Sequence, residues 1–139
     1  MPESHRLPLP LASLSGGTYH GVRLRVVTGR ERVLRWAPVV LWAGVIFAFS
    51  SIPSLTTGLG TWDLILRKCA HAAEYAVLGA LLVRATGRRW LAVGLGSAYA
   101  VTDELHQHFV HGRVGSPVDW AIDTAGVLAG VLLYARLAR

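Results

Sequence analysis

The sequence predicts an all-α, polytopic membrane protein with four transmembrane helices and polar residues clustered at the outer face. Three observations predict it. Hydrophobic residues make up 53% of the chain and charged residues only 16%, well to the apolar side of a soluble domain. Four apolar runs each approach the roughly 20 residues a helix needs to cross a bilayer. The arginines gather at the ends of those runs, which is a topology signal rather than a phosphate-binding face, even though the net charge is +6. The lipid bilayer is thus an expected partner, and nucleic acid is not.

Residues 1–35 carry prolines, glycines, serines and arginines without a long apolar core. They read as a loose cytoplasmic tail rather than a secretory signal, and residues 36–139 as the helical membrane domain. The first apolar run is Trp36 to Ile52 and ends before Pro53. The second runs from about Leu64 to Ala85, the third from Trp90 to Phe109 and the fourth from Val118 to Ala135. Only the first is free of charges; the other three carry them near one end. Trp36, Trp62, Trp90, Trp120 and Tyr134 fall near the predicted ends, where an aromatic belt belongs.

Orientation follows from arginine. Arg23, Arg25, Arg30, Arg32 and Arg35 precede the first helix. Arg84, Arg88 and Arg89 lie between the second and third, and Arg136 and Arg139 follow the fourth. The other two connections are poor in positive charge, so both termini are expected in the cytoplasm. The start of helix two, the end of helix three and the start of helix four then share the outer side. Those three segments carry the charges that enter the membrane, and such charges by default mark a site with a function.

Residues three and four apart share a helical face. His71, Glu74, Tyr75 and Leu78 form one stripe on helix two. Asp103, Glu104, Gln107 and His111 cover one broad face of helix three if that helix runs far enough, and His106 points elsewhere. Asp119 and Asp123 share a face of helix four with Gly126 and Gly130, whose spacing lets another helix approach closely. Val127 is expected off that contact and to be more permissive. A carboxylate as deep as Glu74 must be paired, protonated or hydrated. Lys68 either snorkels to headgroups or balances the acids. Arg113 either clamps a carboxylate or phosphate, or pairs internally with Asp119 or Asp123.

No tight metal-ligand motif, phosphate loop, dinucleotide fingerprint or serine elbow is present, so no metal and no cofactor are expected. With one cysteine, Cys69, no intramolecular disulfide can form.

Lys68-Cys-Ala-His71-Ala-Ala-Glu74-Tyr75-Ala-Val-Leu-Gly79 resembles the first motif of the VanZ-like family of bacterial integral membrane proteins. The run from Asp103-Glu104 through Gln107, Arg113 and Asp119 to Asp123-Thr-Ala-Gly126 resembles the second. One departure is Asp123, where this pattern commonly carries asparagine. The resemblance implies a multi-pass protein of the bacterial cell membrane, in a family whose name-giving member is associated with resistance to the glycopeptide teicoplanin.

Three functions fit. One is binding of an amphiphile, an envelope lipid or a glycopeptide-related ligand, by Lys68, His71, Glu74, Asp103, Glu104, Gln107, Arg113, Asp119 and Asp123. The second is acid–base catalysis on a lipid-linked substrate, with Glu104 or Asp103 as base and His71 or Arg113 assisting. The third is proton-coupled transport, which in so small a bundle calls for a homo-oligomer. Scaffolding alone accounts poorly for so many charges, because a polar pair in a membrane contributes only about 1 kcal/mol.

The arginine pattern makes a direct prediction. In a Cys69→Ala background, Gly58→Cys and Gly115→Cys should react with an impermeant thiol reagent in intact cells. Labelling at Arg88→Cys but not at Gly58→Cys would invert the topology.

Overall fold

In the computed structural model, which describes residues 28–53, 61–113 and 115–139, the chain is all-helical. Its four helices are α1 (Gly29–Ser50), α2 (Thr61–Thr86), α3 (Arg89–Gln107) and α4 (Pro117–Leu137), with no strand among the described residues. Two of them, α1 and α4, are long and apolar enough to cross a membrane. Most of the sequence-predicted tail, residues 1–27, and the labelling position Gly58 lie outside the described residues.

Helix α1 begins seven residues before the apolar run because its start is encoded by caps rather than by hydrophobicity. Thr28 accepts from the Glu31 backbone N–H while the Glu31 carboxylate accepts from that of Thr28, a reciprocal capping box. Residues 29–35, expected in the tail, are therefore helical. Pro38 lies inside this helix and has no N–H to offer the carbonyl of Leu34. The Arg84 guanidinium reaches over from α2 and donates to Leu34 O and Arg35 O, each at 3.4 Å. An arginine read as a topology marker thus also supplies a donor that a proline removed.

The other boundaries follow local chemistry as well. Gly87, at φ +67°, closes α2, its N–H returning to Val83 O at 2.9 Å. Helix α3 stops at Gln107, two residues short of expectation, and turns through His106–Phe109 and Gln107–Val110 hydrogen bonds. Helix α4 opens with Ser116 capping Val118 N–H and Pro117 in the first turn, where a missing N–H costs nothing.

Helices α2 and α4 make the most extensive contact and run parallel; α3 packs on both, and α1 lies against α2 and, less extensively, α3. The α2–α4 contact is backbone on backbone. A side chain at Gly126 would overlap the Ala72 carbonyl, one at Gly130 the Ala76 carbonyl, and one at Gly79 the Val127 carbonyl. The glycine pair of α4 is thus seated on an alanine pair of α2, the small-residue packing that lets two helix backbones approach closely. Val127 is not permissive, contrary to expectation. It is fully buried, and its methyl groups stand 2.7 and 2.8 Å from where a Cβ on Gly96 would be. Outside the bundle the surface is apolar, with Leu41 71% and Leu133 59% exposed, a distribution suited to lipid rather than water.

Gly126→Leu and Gly130→Leu should each lower stability in detergent by at least about 1–3 kcal/mol, the cost of overpacking. Leu133→Ala should stay within about 0.5 kcal/mol of the parent. Thermal unfolding of the three purified variants checks this, and equal Tm values for all three would remove the close α2–α4 contact.

Candidate functional site

The end of the bundle where α1 and α3 finish and α2 and α4 begin collects the charged side chains. Because α2 and α4 run parallel, their pairs follow in the same order down both helices. Lys68 forms an ion pair with Asp119. One turn further, His71 Nδ1 stands 3.8 Å from Asp123 Oδ1. The glycine–alanine contacts come next. Close packing below therefore sets the pairing above.

Helix α3 contributes Asp103, Glu104 and Gln107, all buried. Asp103 Oδ2 accepts from Ser50 Oγ at 2.7 Å and from Gln107 Nε2 at 3.0 Å. Ser50, itself fully buried, is the last residue of α1, so this bond ties α1 to α3. Glu104 accepts from the Ser116 N–H at 2.7 Å and so holds the first turn of α4, where a carboxylate also complements the helix dipole. The backbone around it is tight: a side chain at Gly115 would overlap the Glu104 carbonyl. Gly115→Cys is therefore a poor labelling position, and exposed His111 replaces it.

Arg113 corrects an expectation. It pairs with neither Asp119 nor Asp123. Its Nε donates to Ile52 O at 3.3 Å, Nη2 to Phe49 O at 3.3 Å and Nη1 to Gln107 Oε1 at 3.4 Å. A cation on terminal helix carbonyls satisfies groups that have no intrahelical partner. His111 is also corrected: α3 ends before it, and the residue is exposed in the following turn. His106 does point away from the cluster, bonding Ser51 Oγ at 3.0 Å and stacking on Phe47 at 4.3 Å between ring centroids.

Glu74 is half-buried on α2, within electrostatic reach of Asp103 and Arg113. Its backbone carbonyl accepts from Trp42 Nε1 at 2.9 Å. Asp123 is 1% exposed and is reached electrostatically by Glu104, Asp103, Asp119 and Glu74. Asp103 Oδ1, Asp123 Oδ2 and the Tyr75 hydroxyl are buried without a close hydrogen bond among the described residues, but the Tyr75 hydroxyl faces the Asp103 carboxylate as a hydrogen-bonding neighbour, which leaves Asp123 Oδ2 without a partner. The structure thus brings Lys68, His71, Glu74, Asp103, Glu104, Gln107, Arg113, Asp119 and Asp123 to one end. Ser50 joins them without having been singled out, and Tyr75, placed on the helix-two stripe but not among the site residues, joins them too. A serine in the final turn of an apolar run and a tyrosine beside Glu74 were the available signals.

Beside Glu104 an open groove of about 260 Å³ lies between α3 and α4, lined by Val101, Leu105, His108, Pro117 and Trp120. No three His, Cys, Asp or Glu side chains among the described residues are arranged to hold a metal ion.

A family profile described as VanZ/LLP1 matches residues 21–138, nearly the whole chain. No curated protein and no solved structure matches.

Ser50→Ala should destabilise the protein by about 1 kcal/mol through loss of a buried hydrogen bond to a carboxylate, and by more than Ser51→Ala. Thermal unfolding in detergent checks the order. The reverse order would mean that Ser50 does not tie α1 to Asp103.

Proposed function

The chain belongs to the VanZ/LLP1 family, and from that premise we propose that it is a multi-pass cell-envelope protein binding an amphiphile. In this reading all four helices span the bilayer, both termini are cytoplasmic and the charged end of the bundle lies at the outer leaflet. Nine polar and charged side chains from three helices and one loop meet at that end, and the groove beside Glu104 provides an apolar wall for a chain. The single observation that carries the reading is Asp123, buried with an oxygen that no described residue satisfies. A scaffold charge is expected to be matched fully by the protein; acceptors left over suit a ligand.

A second reading, acid–base catalysis, rests on the His71–Asp123 approach of 3.8 Å, in which a carboxylate can orient an imidazole. Mass spectrometry of lipids that co-purify with the protein separates the two. An unchanged bound amphiphile supports binding, and a chemically altered product supports catalysis.

Glu104→Gln tests the site against a purely structural role. The amide oxygen can still accept from Ser116 N–H, so expression should hold and stability in detergent should stay within about 1 kcal/mol of the parent. The amount of co-purified amphiphile, and any change in teicoplanin susceptibility conferred on a host, should fall sharply. Loss of stability with the bound amphiphile undiminished would leave Glu104 as a capping residue only.

A further inference from the structure

We propose that the end of the bundle opposite the acidic site is a docking surface for anionic phospholipids of the leaflet it faces, their phosphates seated on arginines. The proposal rests on the membrane-spanning reading above and not on any ligand of the acidic end. All four helices bring guanidinium groups here. Helix α1 carries Arg30, Arg32 and Arg35, and the α2–α3 connection carries Arg84, Arg88 and Arg89. The end of α4 adds Arg136 and Arg139. All are exposed, and none forms an ion pair with a described residue. Among the described residues the only acidic side chain at this end is Glu31, whose carboxylate accepts from the Thr28 N–H. The helices thus supply little counter-charge of their own, and an anion brought to this end is attracted.

Three features go beyond what a topology signal requires. The first is placement. Arg88 is the N-cap of α3 and Arg89 its first residue, with no acid in the first turn, and a helix dipole repels a cation there. Arg84 crosses to α1, its Nη2 on the Leu34 and Arg35 carbonyls, while its Nε and Nη1 keep no partner among the described residues. The second is residue type. The chain's one lysine, Lys68, lies at the other end of the bundle. Every cation here is arginine, whose planar fork takes a phosphate by two parallel hydrogen bonds. The third is the company these arginines keep. Exposed Val33, Leu34 and Trp36 flank Arg35, exposed Trp90 follows Arg89, and exposed Leu137 follows Arg136. A nucleic acid or an acidic peptide brings charge but nothing to cover those side chains. A phospholipid brings its phosphate to the guanidinium groups and its chains to the apolar residues beside them.

The test reconstitutes the full chain into phosphatidylcholine vesicles containing a minority of phosphatidylglycerol. Either lipid is supplied with brominated chains, and quenching of tryptophan fluorescence reads its contact with the protein; Trp36 and Trp90 stand beside the arginines. Phosphatidylglycerol should associate at least threefold more strongly than phosphatidylcholine. The double variant Arg35→Lys, Arg84→Lys keeps the charge and hence the topology signal, and should lower that preference at least twofold. Should it fail to fold, Arg88→Lys with Arg89→Lys, both exposed at the turn, carries the comparison. Equal quenching by the two brominated lipids overturns the proposal. A preference unchanged in the folded lysine variants overturns it too, because net charge would then suffice without a phosphate seat. So does displacement of phosphatidylglycerol, in detergent, by a single-stranded oligonucleotide or polyglutamate at equal charge concentration, which would assign the surface to a different partner. A chain that does not insert into vesicles at all overturns the spanning reading and the proposal with it, whereas equal quenching in an inserted chain overturns the proposal alone.

Discussion

Helix α4 lies so close to α2 that the carbonyls of Ala72 and Ala76 fill the space where side chains at Gly126 and Gly130 would be. Most of the arrangement depends on this contact. Two parallel helices in backbone contact have little freedom to slide, so the residues one and two turns nearer their N-termini are brought together in fixed order. His71 comes to Asp123, and Lys68 to Asp119. The same approach encloses Val127 between Gly79 and Gly96, which draws α3 onto the pair and places Asp103 and Glu104 beside the α4 acids. Small residues below and charges above are two parts of one device: the first sets the geometry in which the second can meet.

Where a proline or a helix end leaves backbone groups without a helical partner, the protein places charged side chains on them. Arg84 donates to the carbonyls around the Pro38 interruption in α1, and Arg113 donates to carbonyls at that helix's far end. Glu104 does the converse job for the N–H of Ser116. Each of these contacts satisfies a backbone group that the helix leaves open, so each of these side chains has a structural role whatever else it does. The charges of this chain therefore divide by what they touch. Arg84 and Arg113 serve the backbone of α1. Lys68 serves Asp119. Asp103 serves Ser50, Gln107 and Tyr75, and Asp123 keeps an oxygen that no described residue satisfies.

Glu104 holds both kinds of position. One oxygen caps α4, while the side chain borders the groove that opens between α3 and α4. A ligand lying in that groove would press on the residue that holds the start of α4, and through it on the loop carrying Arg113. The groove and the packing of the α3–α4 connection thus meet at that one carboxylate.

The all-helical class, the four elements and the segments that carry charge were legible in the sequence, because hydrophobic runs and charge placement are local properties. So was the close approach of Gly126 and Gly130, since glycines one turn apart in an apolar helix have few other uses. Capping was legible in principle: Thr28 and Glu31 stand at the spacing of a capping box, yet the apolar pattern alone placed the start of α1 seven residues late. Partners were not legible. Sequence spacing could put Arg113 near acids, but only the packed bundle decided that it would reach past them to the carbonyls of Phe49 and Ile52. Nor could spacing show that Ser50 would join Asp103 across 53 positions, that Val127 would be enclosed by glycines of two other helices, or that Asp123 would be buried without a hydrogen bond. Those outcomes depend on how helices distant in sequence are brought into contact, and that is settled by shape and by the satisfaction of polar groups in three dimensions. The chain's pattern determined which residues go to the polar end; the tertiary structure decided which of them are paired there and which are not.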